Sequence, residues 1–386
     1  MKKIITVLII QILIMCNINA LEINSKNAIL YNLNDNQILY RKNETEKVKI
    51  ASLTKIMTAI VTLENIEDIK STTIMSDQAF IDLDGYAKAG FKVGEEVTYE
   101  DLLYGLMLPS GAECANQLAI SITNKKEDFI KLMNDKALQL GMKNTKFSNT
   151  IGIDEEDNYS TAEDIAILLK YALKNEQFKK IFTTKEYITT TNIKLTSTVL
   201  ERSKPYNIDT SYIKGAKTGF TDEAGYCLAS IAEINGINYL LVTTKADTDI
   251  PYQIIDAVKI YDYYSKNYSY KQVLTKEQLL YKIPIKQAIK KEYKVYSQYD
   301  KYIFLNNETD LSKLKYEYEG IKEITKQTKT NEVIGKIKII DNNEVIYEYE
   351  VKLNEQIYFH NYILYLVIIL FIIFIIKKKT RKNKRK

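Results

Sequence analysis

Ser52 and Lys55 are the first residues along this chain whose types and spacing could do chemistry. Apolar periodicity predicts a helix from about residue 51 to residue 63, and residues three apart on a helix share one face. A serine hydroxyl needs an adjacent base to act as a nucleophile, and a lysine amine can serve only when its pKa is lowered. Because the buried start of a helix supplies the necessary desolvation, the pair is suited to covalent catalysis.

Serine–lysine pairs of this spacing are not specific by themselves. The same spacing occurs at Ser211 and Lys214, and again at Ser312 and Lys315, in a chain that is rich in lysine. Ser52 is distinguished from these serines by two features that lie closer to the middle of the chain.

The first is Ser110 and the second is a Lys-Thr-Gly motif. Ser110 stands in a turn before a predicted helix over 112–123, where it could project into a cleft, although spacing alone favours a helix N-cap. Lys-Thr-Gly at 217–219 occurs once in the sequence and precedes two predicted strands, at 225–232 and 238–243. This motif is therefore expected on or beside a sheet edge, where its glycine lets a ligand backbone approach closely. Its alternative interpretation is a surface turn.

The composition excludes two common hydrolase types. The chain has one histidine, His360, beside a hydrophobic C-terminal segment, so a Ser-His-Asp triad is not expected in the folded body. A zinc site is not expected either, because only Cys114 and Cys227 remain as soft ligands there. We predict no metal and no cofactor. Sequence leaves open whether the two cysteines pair or stay as thiols.

The two ends of the chain carry targeting patterns. Residues 1–20 have two lysines, an apolar run and a final alanine, which predict a signal peptide. Residues 357–376 are mostly apolar and long enough for a transmembrane helix, while residues 377–386 carry eight positive charges typical of a cytoplasmic side. The predicted location is the cell membrane, with a single span and the catalytic domain outside the cytoplasm.

The formal net charge of +5 does not indicate a nucleic-acid surface. Of the 54 basic residues, two lie in residues 1–20 and eight in residues 377–386, which leaves 44 against all 49 acidic residues. The body of the protein is therefore slightly acidic, and the excess of basic residues lies at the two ends, where it indicates membrane topology. We predict no nucleic-acid partner.

Hydrophobic patterns predict two domains between these ends. Residues 21–267 mix short strands with amphipathic helices and contain all the candidate site residues, whereas residues 268–356 predict a small β-rich domain. In the latter, Tyr, Ile or Val tends to alternate with Lys or Glu, as in half-exposed antiparallel sheet. The segments predicted as strands there are 281–285, 293–296, 302–305, 315–318, 332–340 and 344–353.

Taken in order, four motifs resemble those of the D-alanyl-D-alanine carboxypeptidases, the low-molecular-mass penicillin-binding proteins. They are Ala-Ser-Leu-Thr-Lys at 51–55, Leu-Pro-Ser-Gly at 108–111, Tyr-Ser-Thr-Ala at 159–162 and Lys-Thr-Gly-Phe-Thr at 217–221. The resemblance covers residues 21–265, and the later segments resemble the family in arrangement only. It implies an α/β (α+β) domain of the serine β-lactamase and DD-peptidase type, with an antiparallel sheet flanked by helices and an inserted helical subdomain.

The resemblance also implies a role for each matching residue. Ser52 would be the acylated nucleophile, Lys55 its general base, and Ser110 the relay of a proton to the leaving D-alanine. Lys217 would support that transfer electrostatically, and Thr218 would help to hold the substrate carboxylate. The backbone N–H of Ser52, with one from the strand after Lys217, would form the oxyanion hole.

The chain departs from the pattern of that family at two places. Relatives usually carry asparagine two residues after the second serine, where this chain has Ala112, and Asn116 is expected to point elsewhere on the helix. Many relatives also have an arginine before the closing helix that grips the terminal carboxylate. Residues 245–252 contain none, and Lys245 is the candidate stand-in.

Three functions compete on this basis. The favoured one is a serine-type carboxypeptidase that removes the terminal D-alanine from peptidoglycan stem peptides through an acyl-enzyme and is inhibited by β-lactam antibiotics. A class A-like β-lactamase shares the motifs but needs a deacylating glutamate, for which residues 154–158 offer candidates. A catalytically weak peptidoglycan-binding scaffold is the third, with Ala112 as its evidence. Turnover of a D-Ala-D-Ala peptide and of penicillin separates the three.

Overall fold

The structure, a computed structural model, describes residues 21–383, except for the side chains of residues 362–363 and 379–383. The predicted signal peptide, residues 1–20, lies outside the described residues, as do residues 384–386. The chain divides into two compact units, of which the first ends at Lys266 and the second begins at Asn267.

The first unit alternates strands with helices. Its strands are Asn27–Asn32 (β1), Gln37–Lys42 (β2), Thr72–Ile74 (β3), Glu96–Thr98 (β4), Glu186–Ile188 (β5), Lys194–Thr196 (β6), Ile213–Thr221 (β7), Gly225–Ile234 (β8) and Ile237–Ala246 (β9). Its α-helices are Thr54–Asn65 (α1), Tyr99–Met107 (α2), Ala112–Thr123 (α3), Lys126–Leu140 (α4), Ala162–Ala172 (α5), Glu176–Thr183 (α6), Thr198–Ser203 (α7) and Tyr252–Asn267 (α8). Short 3-10 helices are Ala51–Leu53, Asp77–Phe80 and Lys204–Tyr206.

An antiparallel five-stranded sheet organises this unit, in the order β2-β1-β9-β8-β7. The N-terminal hairpin pairs with β9 from the far end of the unit, so that Asn27 lies opposite Thr244 and Asn32 opposite Tyr239. The helices between β2 and β7 therefore form an insertion in the sequence between two strands of the same sheet. The predicted antiparallel sheet with an inserted helical subdomain is confirmed.

Both faces of this sheet are covered, which explains why its central strands are continuous apolar runs. On one face, α8 brings the hydroxyl of Tyr261 to 2.9 Å from that of Ser230 on β8. On the other face, Ile29 and Val242 join a single core with α1 to α5. Complete burial of an aliphatic side chain of this size contributes about 1.5–3 kcal/mol. The sheet thus gives the inserted helices a rigid surface on which to pack.

The N-cap of α5 lies one residue later than the sequence pattern indicates. Residues 160–163, Ser-Thr-Ala-Glu, have the sequence pattern of a capping box with Ser160 as the N-cap, but the N-cap of α5 is Thr161, which accepts a hydrogen bond from the backbone of Asp164. Ser160 is instead completely buried, and its hydroxyl lies 2.7 Å from that of Thr145. The side chain of Ser160 thus contacts a residue distant in sequence and does not cap the helix.

The second unit is built mainly from antiparallel strands, as predicted for this region. They are Tyr268–Leu274 (β10), Leu279–Pro284 (β11), Glu292–Tyr296 (β12), Lys301–Asn306 (β13), Lys315–Gly320 (β14), Val333–Asp341 (β15) and Glu344–Lys352 (β16). They pair as β10-β13, β11-β12 and β14-β15-β16. All six predicted strands are found within a few residues. Strand β10 was not predicted, because it continues directly from α8 without a glycine or proline between them.

The chain ends with the helix Tyr362–Asn383 (α9). Among the residues that the structure describes, no helix combines the length and apolarity needed to cross a membrane. The transmembrane helix predicted for residues 357–376 is therefore not supported by the structure.

Candidate active site

The turn that carries Ser52 lies where the main core meets solvent. Ser52 occupies the 3-10 helix Ala51–Leu53 rather than the α-helix that was predicted, and Ala51 before it has a left-handed backbone, with φ of +46°. Every residue of α1 from 54 to 63 is buried, whereas Ser52 is half-buried. The hydroxyl is thus accessible at one end of a helix that is otherwise inside the protein.

Lys55 lies in the first turn of α1, with Nζ 2.9 Å from the Oγ of Ser52. The same Nζ donates a hydrogen bond to the backbone carbonyl of Ile151, at 2.9 Å. Burial lowers the pKa of Lys55 to about 7, although Cys114 and Glu113 nearby act in the opposite direction. A substantial fraction of this amine is therefore neutral at neutral pH, which a general base requires.

A second serine–lysine pair stands beside the first. The Nζ of Lys217 on β7 donates to the Oγ of Ser110 at 2.9 Å, and also to the carbonyl of Thr218 at 3.0 Å. Ser110 is not the N-cap of α3, which is Gly111, so the interpretation that spacing alone favoured is wrong. Burial, followed by the positive charges of Lys55 and Arg202, holds the pKa of Lys217 well below its usual range.

Strand β7 forms the edge of the five-stranded sheet, so Lys-Thr-Gly lies where the sequence predicted. A Cβ atom on Gly219 would lie only 3.0 Å from the carbonyl oxygen of Ile50 and 3.1 Å from the backbone nitrogen of Ser52. Glycine therefore allows the edge strand to pass directly beside the nucleophile turn. On the neighbouring residue, the hydroxyl of Thr218 lies 2.6 Å from that of Thr198, the first residue of α7.

Gly152, which the sequence patterns did not single out, packs against the peptide that precedes Ser52. Its φ is +91°, and a Cβ there would lie 2.0 Å from the carbonyl oxygen of Ala51. The side chain of Asn149 fixes this loop by accepting from the backbone N–H groups of Gly152, at 2.7 Å, and Ile153, at 3.0 Å. A glycine in a polar loop indicates a turn but not its tertiary neighbour, so no sequence signal could have found this contact.

The amide missing at Ala112 is not supplied by Asn116. The side chain of Asn116 accepts from Thr150 Oγ1 at 2.8 Å and donates to the carbonyl of Ala79 at 3.3 Å. The prediction that Asn116 points elsewhere is thus confirmed, and its role is to brace the loop. Thr58 on α1 completes that brace by donating to the carbonyl of Thr150 at 2.7 Å. Lys55 is consequently held by a loop carbonyl.

The acidic residues of the same loop do not take the place of a deacylating glutamate. Asp154 accepts from the hydroxyl of Thr221 at 2.8 Å, which ties the loop to the end of β7. Residues 155–157 are exposed at the surface. Among the described residues, no carboxylate of this loop is hydrogen-bonded to Ser52.

Three further buried ionisable groups, Cys114, Cys227 and Glu113, make structural contacts. Cys114 and Cys227 are both buried free thiols in the described part of the chain, so they do not pair with each other. Burial raises the pKa of Cys227 to about 12 and that of Cys114 well above its usual range. Glu113 accepts from the backbone N–H groups of Ala89 and Gly90, at 2.6 and 3.0 Å. None of these contacts places a thiolate at the nucleophile.

Two serine hydroxyls, each beside a buried lysine, thus meet at the edge of an antiparallel sheet packed between helices. This fold and this site define a serine hydrolase that uses lysine where other serine hydrolases use histidine.

Comparison with known proteins identifies the family. The chain belongs to the D-alanyl-D-alanine carboxypeptidase family, whose sequence model matches residues 15–248, and it is a serine-type peptidase, as the motifs predicted. D-alanyl-D-alanine carboxypeptidase DacF of Bacillus subtilis is 28% identical over 336 residues, which cover 86% of this chain and 85% of that protein. The D-alanyl-D-alanine carboxypeptidase of Streptomyces sp. strain K15 is 36% identical over 238 residues, covering 58% of this chain and 81% of that protein.

Solved structures agree with this assignment. The Streptomyces K15 DD-transpeptidase superimposes with a TM-score of 0.55 and 31% identity, over 63% of this chain and 97% of that one. DacD of Francisella tularensis has a TM-score of 0.72 over 88% of this chain and 95% of that one, at 22% identity. The latter similarity establishes the fold alone.

The lowered pKa of Lys55 generates a prediction about pH. We expect the rate of acylation by fluorescent penicillin to rise with pH through an apparent pKa of about 7, because Lys55 must be neutral to accept the proton of Ser52. Below that pKa the rate should fall about tenfold per pH unit. The rate constant for labelling should be measured from about pH 5 to pH 9. A flat profile would contradict the role of Lys55 as the base.

The tight packing of Gly152 generates a second prediction. The substitution Gly152→Ala should lower the free energy of unfolding by about 2–5 kcal/mol, since it combines a strained backbone with a collision against Ala51. It should also slow penicillin labelling. Gly141→Ala is the matched control, because Gly141 also has a positive φ but nothing within 4 Å of its Cβ position. Denaturant unfolding that shows equal losses for the two variants would refute this effect of packing.

Proposed function

We propose that this protein removes the terminal D-alanine from peptidoglycan stem peptides through an acyl-enzyme formed on Ser52. The observation that carries the proposal is the 2.9 Å contact between the Ser52 hydroxyl and a buried lysine whose pKa is about 7. Relatives named D-alanyl-D-alanine carboxypeptidases support the choice of substrate, including DacC of Escherichia coli at 30% identity. β-Lactam antibiotics act on the same site as inhibitors.

The proposed reaction begins with proton transfer from Ser52 to Lys55. The freed oxygen attacks the carbonyl carbon of the penultimate D-alanine, and the peptide bond to the terminal D-alanine breaks. Ser110, held by Lys217, relays this proton from Lys55 to the departing amine, so that Lys55 is neutral again once the acyl-enzyme has formed. Water then attacks the ester on Ser52 and releases the shortened peptide, with Lys55 serving again as the base.

The edge of β7 supplies the binding surface in this mechanism. An extended peptide can add to an exposed sheet edge through main-chain hydrogen bonds, and Gly219 lets it lie close to the nucleophile. The backbone N–H of Ser52 and an N–H of β7 then point at the developing oxyanion. Loss of one such donor typically costs about 10²–10³ in rate. The Thr218 hydroxyl faces the end of the substrate.

The loop geometry supports a carboxypeptidase over a class A-like β-lactamase. Fast hydrolysis of penicillin needs a base that activates water beside the acyl ester, and the loop acids are exposed or bonded to β7. The acyl-enzyme formed with penicillin is accordingly long-lived in our proposal. The intact Ser52–Lys55 contact also supports an enzyme over a catalytically weak scaffold, despite Ala112.

The function is tested by D-alanine release from diacetyl-Lys-D-Ala-D-Ala. Ser52→Ala should abolish both that release and covalent labelling by penicillin, because Ser52 has the one hydroxyl that is hydrogen-bonded to Lys55 among the described residues. Ser211→Ala is the matched control, since Ser211 has the same spacing to a lysine but is exposed. A wild-type protein that binds penicillin but releases no D-alanine would exclude the carboxypeptidase.

We also propose that the catalytic unit acts outside the cytoplasmic membrane and is attached through residues 357–376. The support is the sequence pattern alone, an apolar run followed by eight basic residues. Deletion of residues 357–386 should move the protein from the membrane fraction to the soluble fraction while penicillin labelling persists. A truncated protein that remains with washed membranes would contradict attachment through this segment.

A further inference from the structure

A cavity of about 840 Å³ in the first unit is separate from the proposed active site. Its walls come from the β1–β2 turn, α6, the start of β7 and the β8–β9 hairpin, and none of its lining residues has a part in the proposed reaction. Lys214 in its wall stands three residues before Lys217 on β7, which corresponds to about 10 Å of strand. A cavity of this size can hold a ligand, so it is a candidate for a second binding site.

A second cavity, of about 560 Å³, extends the first one. Leu33 in the β1–β2 turn and Leu173 after α5 line both cavities, which together form one groove. Leu33, Leu173 and Ile231 are half-buried and pack against the main core of the unit, so the floor of this groove is apolar.

The charged residues along the groove are mostly lysines. Five lysines line it, against one acidic residue, Glu233, among the residues that the structure describes. The lysines are Lys170, Lys174, Lys179, Lys185 and Lys214. Because the body of the protein is slightly acidic as a whole, this basic groove is a local departure from its average charge, and it attracts anions.

Four of these lysines have positive charges that no carboxylate neutralises. Lys174, Lys179, Lys185 and Lys214 are exposed, and none of them forms an ion pair within the described part of the chain. Lys180 differs in this respect, since it follows Lys179 on α6 but lies 3.8 Å from a carboxylate oxygen of Glu100. The lysines of the groove are therefore available to an external anion.

The fifth lysine shows that positive charges are crowded here. Burial lowers the pKa of Lys170, Glu163 acts in the opposite direction, and the charge of Lys174 lowers this pKa further. The Nζ of Lys170 also lies 3.9 Å from the ring centroid of Tyr31 and donates to the side-chain oxygen of Asn36 at 3.1 Å. An anion bound beside Lys170 and Lys174 would offset their mutual repulsion.

The types of side chain favour phosphate over carboxylate as the anion. Lysine binds phosphate as a point charge, whereas the planar fork of arginine matches a carboxylate best, and no arginine is among the described residues that line the groove. The lysines come from the end of α5, from α6 and from β7, so they follow the groove instead of meeting at one point. This distribution suits a chain with several charges.

The floor of the groove narrows the choice among such chains. Half-buried leucine and isoleucine side chains suit uncharged carbon segments between successive phosphates. Single-stranded nucleic acid is disfavoured, because its bases stack on exposed aromatic side chains, and none is found among the described lining residues.

We propose that the basic groove binds an anionic phosphodiester polymer in which short carbon segments join the phosphates, as in a polyol phosphate. Binding there leaves the catalytic groups free, since none of them lines the groove. The inference therefore does not depend on the carboxypeptidase function, and either of the two can fail without the other.

The test measures binding of fluorescent poly(glycerol phosphate) to the full-length protein in detergent. Combining Lys179→Gln, Lys185→Gln and Lys214→Gln should raise the Kd by about tenfold or more, because three phosphate contacts are lost. The slope of log Kd against log salt concentration should fall by about two, since each such contact contributes about 0.7 to it. An unchanged Kd and slope would overturn the proposal, as would a wild-type protein that does not bind the polymer.

The matched control combines Lys131→Gln, Lys143→Gln and Lys204→Gln. It removes the same number of positive charges from exposed lysines that do not line the groove, so polymer binding should stay nearly unchanged. Thermal unfolding and penicillin labelling should be the same for both triple variants and the wild type, which checks the fold and the active site. Equal weakening by the two triple variants would show that net charge alone attracts the polymer, and would refute the groove.

Competing ligands test the chemical class. Poly(glycerol phosphate) should bind more tightly than polyglutamate, inorganic polyphosphate or oligothymidylate of equal charge, and than dihexanoyl-phosphatidylglycerol at equal phosphate concentration. Equal binding of polyglutamate would contradict recognition of phosphate, and equal binding of inorganic polyphosphate would contradict the role of the apolar floor. Tighter binding of the oligonucleotide or of the lipid would assign the groove to nucleic acid or to a lipid headgroup instead.

Discussion

The desolvation of Lys55 is the constraint on which the rest of this structure depends. An ammonium group buried without compensation costs several kcal/mol, so folding favours the neutral amine that the chemistry needs. The cost is accepted because α1 is buried all round and its packing against the sheet stabilises the unit as a whole. The carbonyl of Ile151 then gives the amine one fixed partner besides Ser52. Stability and reactivity are coupled at this single side chain.

Lys217, the second buried lysine, is also desolvated. Burial lowers the pKa of both lysines, and Lys55 lies close enough to Lys217 for its charge to lower the pKa of Lys217 further. To keep both lysines buried, β7 must run directly beside the turn that carries Ser52, and the loop that contains Gly152 must pack against the other side of that turn. Gly219 and Gly152 are the residues that make these two approaches possible. The absence of a Cβ at these two glycines therefore contributes to the burial that lowers the pKa values of the two lysines.

The departures of this chain from its family are local and leave that frame intact. With alanine at 112, Lys55 is oriented from the loop rather than from α3, and Asn116 supports the loop from behind. Residues 245–252 contain no arginine, and the Nζ of Lys245, the candidate stand-in, lies 4.0 Å from a carboxylate oxygen of Glu46 in an ion pair.

The reactive groups, their order and most of the elements that carry them could be predicted from the amino-acid sequence alone. Helical spacing predicted the Ser52–Lys55 contact, and period-two alternation predicted six strands of the second unit, because both depend on neighbours within a few residues. Local patterns could not predict that Ser110 contacts Lys217 rather than capping α3, or that Thr161 replaces Ser160 at a helix end. Both serines instead form hydrogen bonds with residues distant in sequence, Lys217 and Thr145, and these bonds outweigh the local preference of serine for a helix N-cap. The approach of Gly152 to Ala51 belongs to the same class, since it exists only when distant segments pack together.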